Sequence, residues 1–243
     1  MLEGIVIVSG TGTGVGKTVT TAAVATMALA RRRSVAVVKP AQTGVTPDEP
    51  GDLAEVRRLS GADDLHEMAR YRDALSPEAA ARREGRPVPA LDDVAASIAE
   101  LGALRDLVLV EGAGGLLVRF GDCTVADLAK ELRAQVLVVT AAGLGTLNDT
   151  TLTLEALAAR DVPCAGVVIG AWSTEPDLAA RSNLADLTHT IGEPPAGALA
   201  QDAATAPDFG RVAEVGLAPR LGGTLDPADF VRRNREPVGV DAP

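Results

Sequence analysis

Short unbroken aliphatic runs alternate along the chain with longer stretches whose apolar positions recur at helical spacing. Residues 5–9, 35–39, 107–111, 136–140 and 162–170 are runs of the first kind. They are continuously apolar rather than alternating, which predicts strands buried on both faces of a parallel sheet. Between and after them, helices are predicted over residues 17–33, 52–60, 91–104, 124–133, 148–160 and 177–191. This alternation predicts an α/β fold, a mostly parallel sheet with helices on both faces. Ligands in such sheets bind beyond the carboxyl ends of the strands. Residues 43–51 and 84–90 read as loops, and residues 207–229 show no clear period. No repeat or linker divides the chain, so one domain is expected over residues 1–235, with residues 236–243 a frayed tail.

Composition narrows the function classes. The 243 residues carry a net charge of −10, and only 2% are aromatic. Such a chain lacks both the basic footprint of a nucleic-acid binder and the aromatic platforms of a single-strand binder. Cys123 and Cys164 form no CxxC pair and are too few for a disulfide framework. The first residues lack the pattern of a signal peptide, and no apolar run is long enough to span a membrane. A soluble cytoplasmic protein is expected. His66 and His189 have no partner at zinc-ligand spacing.

The strongest local signal is IVIVSGTGTGVGKT, residues 5–18. A strand enters a glycine-rich turn, and Gly16-Lys17-Thr18 opens a helix. Glycines let successive backbone N–H groups face one anion, and the helix start adds positive potential. Lys17 is then expected to reach the β/γ-phosphates and Thr18 to bind Mg²⁺. The pattern specifies a single P-loop NTPase domain, although the spacing from Gly10 to Gly16 is one residue longer than the common loop. Val15 stands where a dinucleotide fingerprint would need its third glycine.

Two further strand ends carry charge toward the same edge. LVLVEGAGG ends its strand on Glu111, an expected Mg²⁺ ligand of a P-loop enzyme. VAVVKPAQTG ends its strand on Lys39, where a cation could neutralise a transferring phosphoryl group. Asp52 is a second candidate ligand, with a routine helix N-cap as the competing role.

Taken together, GTGTGVGKT, VKPAQTG, GDLAEV, VEGAGGLLV and TAAGLGTLNDTTLTLEAL resemble the dethiobiotin synthetase family in order and spacing, from Gly10 to about Gly197. The resemblance implies ATP-dependent conversion of 7,8-diaminononanoate and CO₂ to dethiobiotin, through a carbamate and a carbamic–phosphoric anhydride. It implies Lys39 and Lys17 as catalytic lysines and Thr18, Asp52 and Glu111 as the Mg²⁺ set. Nucleotide contacts are implied for Gly14, Val15, Gly16, Lys17, Thr18, Val19, Asp52, Glu111 and Gly114. The base would lie by Gly170, Ala171, Pro195, Ala196 and Gly197. Thr13, Thr43 and Gly115 would face the diamine, and Thr146, Leu147 and Asn148 would hold its carboxylate. In the family that last turn comes from the neighbouring subunit, so a homodimer with shared sites is implied. Two departures stand out: Gly14 replaces an acidic residue of some relatives, and Gly170-Ala171-Trp172 replaces an Asn-containing base-reading motif. Gly12 stands where partition ATPases of the related branch carry a signature lysine.

Overall fold

The computed structural model describes residues 1–236. The expected tail lies outside these residues, apart from Glu236. Nine strands are β1 (Gly4–Gly10), β2 (Val35–Lys39), β3 (Asp64–Glu67), β4 (Leu107–Gly115), β5 (Arg119–Phe120), β6 (Cys123–Thr124), β7 (Gln135–Thr140), β8 (Cys164–Trp172) and β9 (Gly197–Ala200). The α-helices are α1 (Lys17–Leu29), α2 (Asp52–Ser60), α3 (Pro77–Glu84), α4 (Leu91–Leu104), α5 (Val125–Glu131), α6 (Thr146–Ala158), α7 (Leu178–Ile191), α8 (Phe209–Gly216) and α9 (Pro227–Asn234). Seven strands form one sheet in the order β3-β2-β4-β1-β7-β8-β9, with parallel pairing throughout. The short β5–β6 hairpin stands apart. The chain builds one side of β1 first and then crosses to the other, which opens a crevice at the strand ends.

Alternate residues of each central strand enter opposite layers. Val6, Val8, Val37, Leu109 and Val139 pack with the small residues of α1, including Ala22 and Ala25, and with Phe209 and Ala213 of α8. Ile7, Val38, Val110 and Val138 pack instead with Ile98 of α4 and Leu128 of α5. Both sheet faces are therefore dry, which is why these strands read as unbroken aliphatic runs. Among the described residues no helix is long and apolar enough to cross a membrane.

Several element expectations are corrected. The first helix ends at Leu29 rather than at Arg33, because Arg32 turns to φ +59°. The Arg33 guanidinium instead donates to the carbonyls of Leu2 and Asp106. The helix expected over 124–133 is α5 and ends at Glu131, β4 runs past Glu111 to Gly115, and β8 starts and finishes two residues later than expected. Strands β3 and β9 and helices α3, α8 and α9 lay outside the expected elements. β3 is a half-buried edge strand of sequence DLHE, and β9 is GALA, so neither carries an aliphatic signal. The stretch 207–229 without a period holds α8 and the start of α9. Their starts are marked by Asp208 and Asp226, whose carboxylates cap the N–H groups of Arg211 and Asp229.

Candidate active site

The phosphate loop runs from the end of β1 to Gly16, the N-cap of α1, whose φ of +96° favours glycine. The loop is wedged against β8. A Cβ on Gly16 would lie 2.6 Å from the Gly170 carbonyl oxygen, and one on Gly170 would lie 2.0 Å from that of Val15. Lys17 is buried at the first position of α1 and donates from Nζ to the Gly12 carbonyl at 2.8 Å. Burial lowers its pKa, and the nearby Lys39 ammonium lowers it further against the opposing pull of Glu111 and Asp52.

Three elements bring charge together beside Lys17. Lys39 ends β2, Glu111 lies in β4 and Asp52 opens α2. Lys39 Nζ lies 2.8 Å from Glu111 Oε1 and 2.5 Å from Asp52 Oδ2. Burial by itself would push the Lys39 pKa down, but the two carboxylates outweigh it and hold the ammonium above the usual lysine range. Thr18 donates from its hydroxyl to the same Glu111 Oε1 at 3.0 Å. Glu111 Oε2 is buried and has no hydrogen-bond partner.

This donor set fits a divalent cation. The orphaned Oε2 lacks a hydrogen-bond donor, and Thr18, Asp52 and Glu111 offer the hard oxygens that Mg²⁺ takes alongside phosphate and water. Among the described residues no three His, Cys, Asp or Glu side chains could hold a metal by themselves. A cation here would therefore depend on nucleotide oxygens as well.

The competing cap role for Asp52 is not what the structure shows. Gly51 is the N-cap and Asp52 is the first helical residue. The Asp52 backbone N–H is satisfied from outside the helix by Gln42 Oε1 at 2.8 Å. The Asp52 carboxylate, one residue inside the N-cap, meets Lys39 instead of a helix N–H. Gln42 stands within VKPAQTG without a local signal for this role, because its partner lies across a loop.

These groups face an open cleft of about 730 Å³, whose walls also include Thr13, Gly14, Val19, Thr43 and Gly114. Gly115 lies on a neighbouring groove of about 450 Å³ with Thr13, Asp149 and Leu152. The first turn of α6 is not on the walls of the main cleft. There Thr146 is buried, Leu147 is half-buried and Asn148 is exposed, donating to Asp149 at 3.1 Å. Ala171 is exposed, whereas Pro195, Ala196 and Gly197 are buried where β9 begins. Trp172 packs edge-on against Phe230 with ring centroids 5.3 Å apart, so its indole belongs to the core beside α9.

Comparison with known proteins gives this geometry a family. A family model described as an AAA domain matches residues 5–208. The ATP-dependent dethiobiotin synthetase BioD of Frankia casuarinae is 57% identical, over 94% of this chain and 98% of that protein. The protein of the same name from Streptomyces avermitilis is 56% identical, over 93% and 97%. Among solved structures, a ParA family ATPase from Chlorobium tepidum superposes with a TM-score of 0.56 at 14% identity, over 90% of this chain and 94% of that one. A chain of the MinC:MinD cell division protein complex of Aquifex aeolicus gives 0.55 at 15% identity, over 97% and 98%. These two likenesses show the fold, that of P-loop ATPases. With a phosphate loop, a buried lysine between two carboxylates, and near-full-length identity above one half, the chain belongs to the ATP-dependent dethiobiotin synthetases.

Proposed function

We propose that the cleft carboxylates 7,8-diaminononanoate with CO₂ and closes the ureido ring of dethiobiotin at the expense of a nucleoside triphosphate. The observation that carries this reading is Lys39, a buried ammonium bracketed by Asp52 and Glu111 and set beside Lys17. A site that only hydrolysed nucleotide would have no need of a second buried lysine at the end of β2.

One substrate amine adds to CO₂, forms a C–N bond and loses a proton, giving a carbamate. A carbamate oxygen attacks the γ-phosphorus, and the bond to the β,γ-bridging oxygen breaks. Nucleoside diphosphate leaves and a carbamic–phosphoric anhydride remains. The second amine attacks the anhydride carbonyl, the ring closes, and phosphate departs with the C–O bond. Lys17 and Lys39 neutralise charge that grows on the phosphoryl oxygens and hold the carbamate against them, so catalysis is positioning and electrostatics. Mg²⁺ held by Thr18, Asp52 and Glu111 would supply further charge neutralisation at the phosphates. Thr13, Thr43 and the backbone at Gly114 and Gly115 orient the diamine. The N–H groups at Leu147 and Asn148 suit its carboxylate, with Thr146, whose own N–H donates to the Gly143 carbonyl at 3.3 Å, setting the start of that turn. Gly14, Val15, Gly16 and Val19 cradle the phosphates, and Gly170, Ala171, Pro195, Ala196 and Gly197 flank the base.

A homodimer completes this reading, because the α6 turn is not on the walls of its own cleft. Around it Leu144 is 94% exposed and Leu152 is 57% exposed, apolar surface that a second copy would cover. Localisation in the cytoplasm fits the absence of any spanning helix among the described residues.

The test is phosphate release with Mg²⁺ and ATP, with and without 7,8-diaminononanoate and bicarbonate, and the product weighed by mass spectrometry. Release that requires the diamine and yields a cyclic urea supports the reading. Diamine-independent hydrolysis with no ureido product overturns it.

A further inference from the structure

Four threonine hydroxyls meet between the phosphate loop and α6. Thr140, fully buried at the end of β7, places Oγ1 2.8 Å from Thr146 Oγ1, 2.8 Å from Thr150 Oγ1 and 3.3 Å from Thr11 Oγ1. Thr146 and Thr150 are one turn apart in α6, and Thr11 is in the phosphate loop. Thr146 in addition donates to the Ala141 carbonyl at 2.7 Å.

Proton counting orients the whole cluster. A hydroxyl has one proton and two acceptor positions. The Thr146 proton is committed to a carbonyl, which can only accept, so Thr140 donates to Thr146. The Thr140 proton is then used, so Thr150 and Thr11 must each donate to Thr140. The relay runs one way, from Thr11 to Thr140 to Thr146 to the Ala141 carbonyl, with Thr150 joining as a side branch. Thr140 ends with both acceptor positions and its proton in use. Such completeness is not general in this core, since the buried hydroxyls of Ser9, Thr20 and Thr21 have no partner. A valine would fill the same volume at position 140 without the desolvation that a buried hydroxyl incurs.

We infer that Thr140 is a positioning residue that ties the phosphate loop to the first turn of α6, so that nucleotide and diamine binding are energetically coupled through it. The inference rests on the proposed reading of the α6 start as the carboxylate site. The link to Thr11 is the long one for an O–H···O bond, whereas the two links into α6 are tight. A small movement of the loop toward a nucleotide therefore acts on the one joint that has length to lose. In the proposed dimer, the relay would connect the nucleotide site of one protomer with the carboxylate site of its partner.

The experiment is calorimetric titration of a non-hydrolysable ATP analogue with Mg²⁺, with and without 7,8-diaminononanoate, on the full chain. Its readout is the factor by which diamine raises nucleotide affinity, commonly about 5–150-fold for coupled sites. Thr140→Val and Thr11→Val cut the relay at different points, so each should lower this factor at least about three-fold, and Thr140→Ser should restore it. Thr150→Val removes only the side branch and should leave the factor unchanged. Thr11→Val, in the loop rather than the core, keeps the test alive should Thr140→Val fail to fold. A coupling factor of one in the unmodified protein, or equal losses in all three valine variants, would overturn the inference. Asn148→Ala separates the two readings. If it leaves diamine affinity unchanged, the assignment of the α6 start fails and this inference with it. If it weakens diamine while Thr140→Val and Thr11→Val leave the coupling intact, the relay alone is wrong.

Discussion

Lys39 and Glu111 stand on the adjacent parallel strands β2 and β4, and their Nζ and Oε1 atoms meet at 2.8 Å with both side chains almost wholly buried. Burying two charges costs several kcal/mol per ion, which attraction repays only with good geometry and further hydrogen bonds. Lys39 has them, with Asp52 as a second carboxylate partner and the Gly112 carbonyl at 3.4 Å. The pair leaves Glu111 Oε2 without a partner, so the arrangement serves something other than stability.

Replacing Lys39 with Gln should therefore lower turnover by about 10²–10³-fold, the size of one lost transition-state donor. Nucleotide affinity should survive, because the loop and Lys17 are untouched. Steady-state phosphate release and calorimetric titration of the nucleotide check the two halves. Near-normal turnover would remove Lys39 from the mechanism.

Gly170→Ala tests the wedge between β8 and the phosphate loop. The added carbon would lie 2.0 Å from the Val15 carbonyl oxygen and 2.7 Å from Val139 Cγ1, so backbone must move. Overpacking of this kind costs about 1–3 kcal/mol. The unfolding midpoint in urea should fall, and nucleotide affinity should fall more than ten-fold, roughly the 1.4 kcal/mol step in binding energy. Unchanged affinity would show that the loop tolerates being pushed off β8.

The two site lysines give opposite pH behaviour. Lys39 is raised above 10.5, so its contribution to stability is complete below 10.5 and disappears as pH climbs through its folded value. Lys17 is lowered below 10.5, so between its folded value and 10.5 the unfolded chain binds more protons and stability rises with pH. Lys17→Met should be more stable than the unmodified protein at pH 7.5, with the advantage shrinking toward pH 10.5. Urea denaturation across that range reads the difference, and an advantage that grows with pH would contradict the assigned sign.

Sharing of sites across a dimer predicts complementation. Asn148→Ala and Lys39→Gln proteins, each deficient alone, should regain activity when mixed, because a hybrid holds one site with neither defect. At equal mixing with free exchange, recovery should approach about a quarter of normal, as half of dimers are hybrids carrying one intact site of two. No recovery after mass spectrometry has shown hybrid dimers would exclude shared sites.

What the sequence determined by itself was the part whose physics is local. An unbroken aliphatic run followed by glycines and then Lys17-Thr18 sets a strand, an anion-binding turn and a helix start within a few consecutive residues. Lys39 was legible as the end of β2, because both sheet faces are dry and a charge ending such a run has to reach the open edge; Glu111 was legible as the charge that breaks an aliphatic run, although β4 continues past it to Gly115. The starts of α8 and α9 were written locally too, in Asp208 and Asp226, but were obscured by the glycines and prolines around them.

Tertiary structure alone decided which distant groups meet. Gln42 accepts the backbone N–H of Asp52 across a loop, and the Asp52 carboxylate, one residue inside the N-cap, meets Lys39 from another element. Gly170 of β8 and Val15 of the loop after β1 press together although β7 lies between their strands, and Thr11 reaches Thr140 across 129 residues of chain. β3 and β9 exist as strands because β2 and β8 offer them unpaired backbone, not because their own residues favour extension. Such contacts leave no periodic trace in a sequence. They depend on strand order and on the closest approach of backbones, quantities that become defined only once the whole sheet is assembled.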